Sequence, residues 1–247
     1  MKIAIPSHKR FNSFKKRTYA LLMRHGFDEN DIYIFVSPES YEEYKDEFKN
    51  VILSKNNILD TRNHIIDFFD EGEKVVEMDD DILSIKTTIK NTKPVEVDDL
   101  KLIFEESFEK CQGGLWGFNS VVTGNNFKNK VNPIDNVKIQ RITIVNSCLG
   151  YFNRKDIKLS VKEKEDYERV ILFYIKGIPI LKREMYGIYT RYWTYAGGIQ
   201  ARYNTEERIK VQSEAAEYLF NLYPEHVYKC VRKTKWKQGM VDLRFRK

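Results

Sequence analysis

The chain has 247 residues, 42% of them hydrophobic and 32% charged, with 15 Tyr and 15 Phe; this excludes a disordered or low-complexity protein and allows one domain with a sizeable core. Met1-Lys2-Ile3-Ala4-Ile5-Pro6 is too short for a secretory apolar region and no apolar run reaches membrane-spanning length, so a cytoplasmic protein with no membrane segment is expected. The net charge is +6, and Cys111, Cys148 and Cys230, odd in number and far apart, suggest neither a disulfide framework nor a zinc site.

In chain order, apolar residues 2–6 and 32–36 read as strands around a helix from Ser13 to His25, a unit that implies parallel pairing. The rhythm repeats: a helix from Glu39 to Phe48, a strand at 51–53, a helix from Asp60 or Thr61 to Phe69, and a strand at 74–78. Such alternation predicts a doubly wound α/β sheet. Asp98 or Asp99 is expected to cap a helix carrying Leu100, Phe104, Phe108 and Cys111 on one stripe, ended by Gly113-Gly114.

Strands then follow at 115–123, 137–145 and 149–153 around a polar loop at 124–136, so the second half is expected to be mixed. Asp166 to Lys176 is helical, and Ile178–Leu181 is expected as an edge strand because Pro179 cannot donate within a ladder. Tyr186 to Gln200, aromatic and closed by Gly197-Gly198, suits a ligand-facing loop, with Trp193 and Tyr195 as candidate stacking residues, although an aromatic stripe is more often core. A helix from Thr205 to Tyr223 stops at Pro224. Residues 225–247, with eight Lys/Arg and two acids, read as a basic hairpin or tail on the same domain as 1–224.

Chemistry concentrates in Glu77-Met78-Asp79-Asp80-Asp81-Ile82, where three carboxylates follow an apolar strand. Ligands gather at the carboxyl ends of strands in open α/β sheets, and hard oxygens there suit Mg2+ or Mn2+ on phosphate. An isolated Asp-Asp-Asp is more often a solvated turn or a cap, so context matters. Pro6-Ser7-His8-Lys9-Arg10 brings hydroxyl and cationic groups to the same sheet edge. Asp60-Thr61-Arg62-Asn63 opens a helix, either as a simple cap or facing a phosphate or base. Lys164-Glu165-Asp166-Tyr167 opens another, where a carboxylate is a candidate general base, with Arg154 shortly before it. His25 and His64 read as structural.

This order of motifs resembles the GT-A glycosyltransferases over residues 1–180. Ile5-Pro6-Ser7-His8-Lys9-Arg10, Asn57 to Asn63, Met78 to Ile82 and Tyr195-Ala196-Gly197-Gly198-Ile199-Gln200 together are similar to the phage TET-associated DNA glycosyltransferases, relatives of the kinetoplastid base J glucosyltransferase.

The resemblance implies a Rossmann-like nucleotide-sugar-binding mixed sheet flanked by helices, and a metal-dependent, inverting transfer to a hydroxymethylated or hydroxylated pyrimidine of DNA, in the host cytoplasm for a phage enzyme. It implies that Asp79 contacts the donor or metal, Asp81 ligates the metal, and Arg10, Arg62 and Asn63 line the nucleotide, with Asp166, beside Glu165, as the base. Pro6, Ser7, His8, Lys9, Asp80, Gly197 and Gly198 complete the expected donor site, a UDP-sugar being the expected donor. His226, the only late histidine, is the candidate third metal ligand, and Trp193, Tyr195, Arg154, Lys233 and Lys235 are the candidate acceptor contacts. Solvated Lys/Arg is the commoner explanation of a basic tail. A GT-A enzyme acting on a polysaccharide or glycan, and a non-catalytic nucleic-acid-binding protein, remain as alternatives.

Overall fold

Apolar runs that a chain buries on both faces form the centre of the molecule, which is described by a computed structural model for residues 1–87, 93–121, 137–139, 141, 144, 147–190, 204–233 and 239–246. Strands β1 (Lys2–Ser7), β2 (Ile32–Val36), β3 (Asn50–Leu53) and β4 (Lys74–Met78) lie parallel in the order β3-β2-β1-β4. The connections are helical, as the sequence rhythm requires. α1 (Phe11–Phe14), a π-helical turn at Lys15–Tyr19 and α2 (Ala20–Arg24) join β1 to β2; α3 (Pro38–Tyr44) and α4 (Ile58–Phe68) make the next two crossings.

Beyond β4 the sheet continues through β9 (Cys148–Phe152), β7 (Leu115–Val121), β10 (Ile180–Tyr189), β5 (Ser84–Thr87) and β6 (Val95–Glu96), with β8 (Val137–Lys138) also on β10. β9 runs antiparallel to both β4 and β7, whereas β7 and β10 are parallel. The expected mixed second half is therefore observed, with two short strands, β5 and β6, that the sequence did not announce.

Ile178–Leu181 is not an edge strand: Ile180 and Leu181 of β10 pair with β7 on one side and β8 on the other. Pro179 is tolerated because it stands one residue before the strand, where its carbonyl accepts the Leu115 amide at 3.0 Å. The strand also runs on to Tyr189, so Tyr186–Tyr189 are strand rather than loop. Residues 191–200 of that expected loop, with Trp193, Tyr195, Gly197 and Gly198, lie outside the described residues, as does Lys235.

Alternation along the strands sorts side chains to two faces. Ile3, Ile5, Ile34, Val36, Val76 and Met78 pack with Phe14, Leu21, Tyr44 and Phe104, the last from α5 (Leu100–Lys110), which Asp99 caps. Ala4, Phe35 and Val75 face the other way, onto Ile65 of α4 and onto Val170 and Phe173 of α6 (Glu165–Ile175). Glu77 is on this second face, under α4 and α6, where its carboxylate meets Arg62 and Arg169.

A third cluster joins Ala215, Ala216 and Leu219 of α7 (Thr205–Leu222) to Val161 and Ile171, and to Val227 and Leu243 of the hairpin β11 (Val227–Val231) and β12 (Val241–Phe245). The basic C-terminal segment is thus a hairpin with its own buried side. Among the described residues no helix is long and apolar enough to cross a membrane.

At Gly150 of β9 an added Cβ would stand 2.3 to 2.5 Å from three atoms of the buried Trp116 indole. Gly150→Ala is expected to destabilise by about 1–3 kcal/mol through overpacking, read as a lowered urea midpoint at unchanged m-value.

Candidate active site

β4 ends at Met78, and the following turn presents Asp79, Asp80 and Asp81 at the carboxyl edge of the sheet. Threonines hold this turn. Thr18, from the π-helical turn, donates to the Asp79 carbonyl at 2.7 Å and accepts from the Ile82 amide at 2.9 Å. Thr190, just past β10, donates to the Asp81 carbonyl at 3.0 Å and lies 3.1 Å from its carboxylate. The Asp79 amide is taken by the Ser147 carbonyl at 2.9 Å.

The three carboxylates have different surroundings. Asp80 is buried, accepting from Ser7 at 2.6 Å and pairing with Arg10 at 2.8 Å, while Ser7 also bonds Tyr44. Asp80 and Ser7 therefore pin the turn to β1 rather than face a donor, and Pro6 is a buried strand residue. Asp81 shares Arg10 at 3.1 Å. Asp79, with a side chain 35% exposed, is the accessible one.

Arg62 joins this turn to the start of α6. Its guanidinium, 3% exposed, pairs with Glu77, lies 3.5 Å from Asp79 and reaches Glu165 at 3.2 Å. Glu77 is fully buried and also meets Arg169 at 2.9 Å and the Tyr151 hydroxyl. Burial works against its charge, but Arg169 and Arg62 hold its pKa below the ordinary range. So Arg62 is enclosed by carboxylates and does not itself line an open nucleotide site. Asn63 is likewise used by the fold, donating to and accepting from the Leu159 backbone at 2.9 Å each. The cap of α4 is Asn57, whose side chain accepts the Asp60 amide, and not Asp60 or Thr61.

At the other side of Arg62 stand Glu163, Glu165 and Asp166. Burial, followed by the neighbouring Glu165 charge, pushes both Asp166 and Glu163 up to about 7. Asp166 is half-buried and accepts only its neighbour's amide, that of Tyr167 at 3.0 Å, among the hydrogen bonds described for it. A carboxyl group that titrates near neutrality is suited to general base work.

Asp79 and Asp81 fit a hard divalent cation. Their oxygens suit Mg2+ or Mn2+, and such a cation needs only one or two carboxylates when phosphates and water complete its shell. Burial raises the Asp79 pKa, Arg62 opposes this and Asp81 adds to it, so a further positive charge beside the pair would stabilise its ionised form. Among the described residues no three His, Cys, Asp or Glu side chains converge at metal-holding geometry.

His226 does not reach this pair. It packs on Tyr174, nine residues along α6 from Glu165 or about 13 Å of helix, and lies 3.0 Å from Arg141. Arg154 is also misplaced: β9 is antiparallel to β4, so Phe152 lies beside Lys74 and Arg154 emerges at the opposite sheet edge, paired with Asp156. At the site edge, His8 bonds Ser37 at 2.8 Å and the exposed Lys9 pairs with Glu39. His25 ends α2 and His64 bonds Ser54, both structural as expected. Lys233 is exposed past β11, Lys229 pairs with Glu217, Arg232 pairs with Asp242, and Arg246 donates to the Pro224 and Val227 carbonyls.

Thr18, Thr190, Glu77, Glu163 and Arg169 were not singled out from the sequence. Only Arg169 left a signal there, one helical turn after Glu165 and so on its face.

Helices on both faces of a mixed sheet, with an acidic turn after the fourth parallel-order strand, define a GT-A type of α/β fold. Among solved structures the chain is similar to S. aureus TarS residues 1–349 in complex with UDP-GlcNAc, at 15% identity and a TM-score of 0.52 over 90% of this chain and 67% of that one. It is similar also to the mannosyltransferase PcManGT from Pyrobaculum calidifontis in complex with GDP-Man and Mn2+, at 9% identity and 0.53 over 90% and 64%. The chain spans 40% of the longer S. aureus TarS structure. At these identities the likeness is one of fold. No protein-family model and no curated protein sequence matches the chain.

Proposed function

We propose that the protein is a metal-dependent glycosyltransferase that takes a sugar from a nucleotide-sugar donor. The observation that carries this is the meeting, across Arg62, of the acidic turn after β4 with the carboxylates that open α6. Asp79 and Asp81 would hold Mg2+ or Mn2+, which supplies Lewis-acid stabilisation of the departing diphosphate. Asp166 takes the proton of the acceptor hydroxyl as it attacks the anomeric carbon, and a single base on this side suits inversion. His8 and Lys9 stand at the donor edge. The fold shared with a UDP-GlcNAc complex and with a GDP-Man and Mn2+ complex supports the same reading.

For the acceptor, we infer a hydroxymethylated pyrimidine in DNA, supported by the motif resemblance and by the basic C-terminal segment with its exposed Lys233. A glycan acceptor is favoured by a different observation: Lys229, Arg232 and Arg246 are already engaged within the protein. Labelled sugar from UDP- and GDP-sugars, offered with Mn2+ to hydroxymethylated DNA, unmodified DNA and polysaccharide, separates the two. Label in hydroxymethylated DNA alone supports the first; label in polysaccharide alone rejects it.

The metal assignment has its own test. Asp81→Asn is expected to weaken Mn2+-dependent binding of UDP or GDP by about tenfold or more, measured by calorimetry. Asp80→Asn should instead lower the melting temperature, because it removes a buried partner of Arg10. Unchanged Mn2+-dependent binding in Asp81→Asn would remove Asp81 from the metal shell.

A further inference from the structure

The segment that carries the candidate base enters α6 through a residue in an unfavourable conformation. Lys164 has φ 61°, in the left-handed region, and its side chain makes no capping bond to the helix. A residue with a Cβ keeps that conformation only where its surroundings over-determine it. Here the surroundings are C-terminal. Gln212 of α7 donates to Glu163, and the Tyr167 hydroxyl donates to the Leu243 carbonyl at 2.9 Å. The Tyr167 ring lies 5.0 Å from that of Phe245. Between these two contacts the Lys164 ammonium meets the Asp242 carboxylate, with side chains only 6% and 5% exposed, and Asp242 is also held by Arg232.

Glu165 and Asp166, the next two residues, begin the helix beside Arg62. The segment is therefore fixed from behind by the hairpin and faces the acidic turn in front.

We propose that Asp242 is a positioning residue of the active site, acting through Lys164 to hold the left-handed turn that presents Glu165 and Asp166. This rests on the glycosyltransferase reading with Asp166 as base. A buried ion pair adds little net stability compared with an apolar pair of similar size, but it specifies one geometry. A base that drifts by about 1 Å loses up to about 10²-fold in rate. The charge-rich C-terminal hairpin, expected to serve the acceptor, thus acts on the base from within.

The test uses the full chain and three variants: Asp242→Asn, the double replacement Lys164→Met with Asp242→Leu, and Asp166→Asn. Labelled sugar transfer gives kcat and KM, calorimetry with UDP and Mn2+ gives donor-site affinity, and thermal melting gives stability. Asp242→Asn is expected to lower kcat about tenfold or more, with UDP affinity within about twofold. In the double variant, melting is expected to return towards that of the parent while kcat stays low, because an apolar pair restores stability but not the turn.

Recovery of kcat together with stability in the double variant would show a structural pair only and overturn the proposal. So would an unchanged kcat in Asp242→Asn while Asp166→Asn is inactive, leaving the base assignment intact. Turnover retained in Asp166→Asn would instead remove the base assignment itself. Should Asp242→Asn fail to fold, the double variant decides alone.

Discussion

Asp166→Asn is expected to lower kcat for sugar transfer by about 10²–10⁴-fold, the range ascribed to general acid–base groups, while leaving Mn2+-dependent nucleotide binding nearly unchanged. Asparagine keeps the shape and the acceptor oxygen towards the Tyr167 amide but cannot take a proton. Since burial and the Glu165 charge push Asp166 up to about 7, the proposed transfer by the parent protein should speed up as pH rises through neutrality and the base ionises. Stability should move the other way. The folded form holds its proton more tightly than the unfolded chain, so ionising Asp166 costs stability between the ordinary aspartate range and about pH 7, and the full cost is present above that. Asp166→Asn should therefore melt higher than the parent at pH 8 and differ little at pH 3.5. A rate profile flat across pH 6–8, or turnover retained in the variant, would take the base role from Asp166.

The second large effect belongs to Arg62. Arg62→Met is expected to destabilise the fold by about 3–5 kcal/mol, the cost of breaking a buried pair from one side. It leaves the fully buried Glu77 with Arg169 and Tyr151 alone, and frees Glu165 and Asp79 from the group between them. Arg62→Lys should recover less than half of the loss, because an ammonium cannot serve several carboxylates with a planar fork. Replacing Glu77 with Leu together with Arg62→Met should be milder than Arg62→Met alone. Urea unfolding at pH 7 measures all three; a loss under about 1 kcal/mol in Arg62→Met would mean that Glu77 is held by Arg169 without help.

Arg62 also illustrates why a site is read from sequence only in part. The Asp-Thr-Arg-Asn segment lies near the carboxyl edge of the sheet, because helix α4 follows the end of β3. What Arg62 touches was not legible: its partners Glu77 and Glu165 are 15 and 103 residues away in the chain, and only the packing of α4 and α6 on one face of β4 brings them to it. The same holds for His226. Its late position suggested a metal ligand, but α6 is a rigid rod and His226 sits at its far end.

By itself the sequence determined the local features that have local causes. Periodicity fixed the four parallel strands and their crossing helices, and capping residues such as Asp99 placed a helix start. Strand-end position made the acidic turn stand out, and the start of an amphipathic helix did so for the opening of α6. Tertiary structure decided which carboxylate is engaged and which is open, since Asp80 is held by Ser7 and Arg10 while Asp79 stays accessible. It also decided which candidates are near the site at all: the reversed direction of β9 sends Arg154 to the opposite edge, and the pairing of the hairpin brings Asp242 to Lys164. The direction of β9 and these side-chain partnerships depend on contacts between distant segments, which the local pattern of residues does not encode.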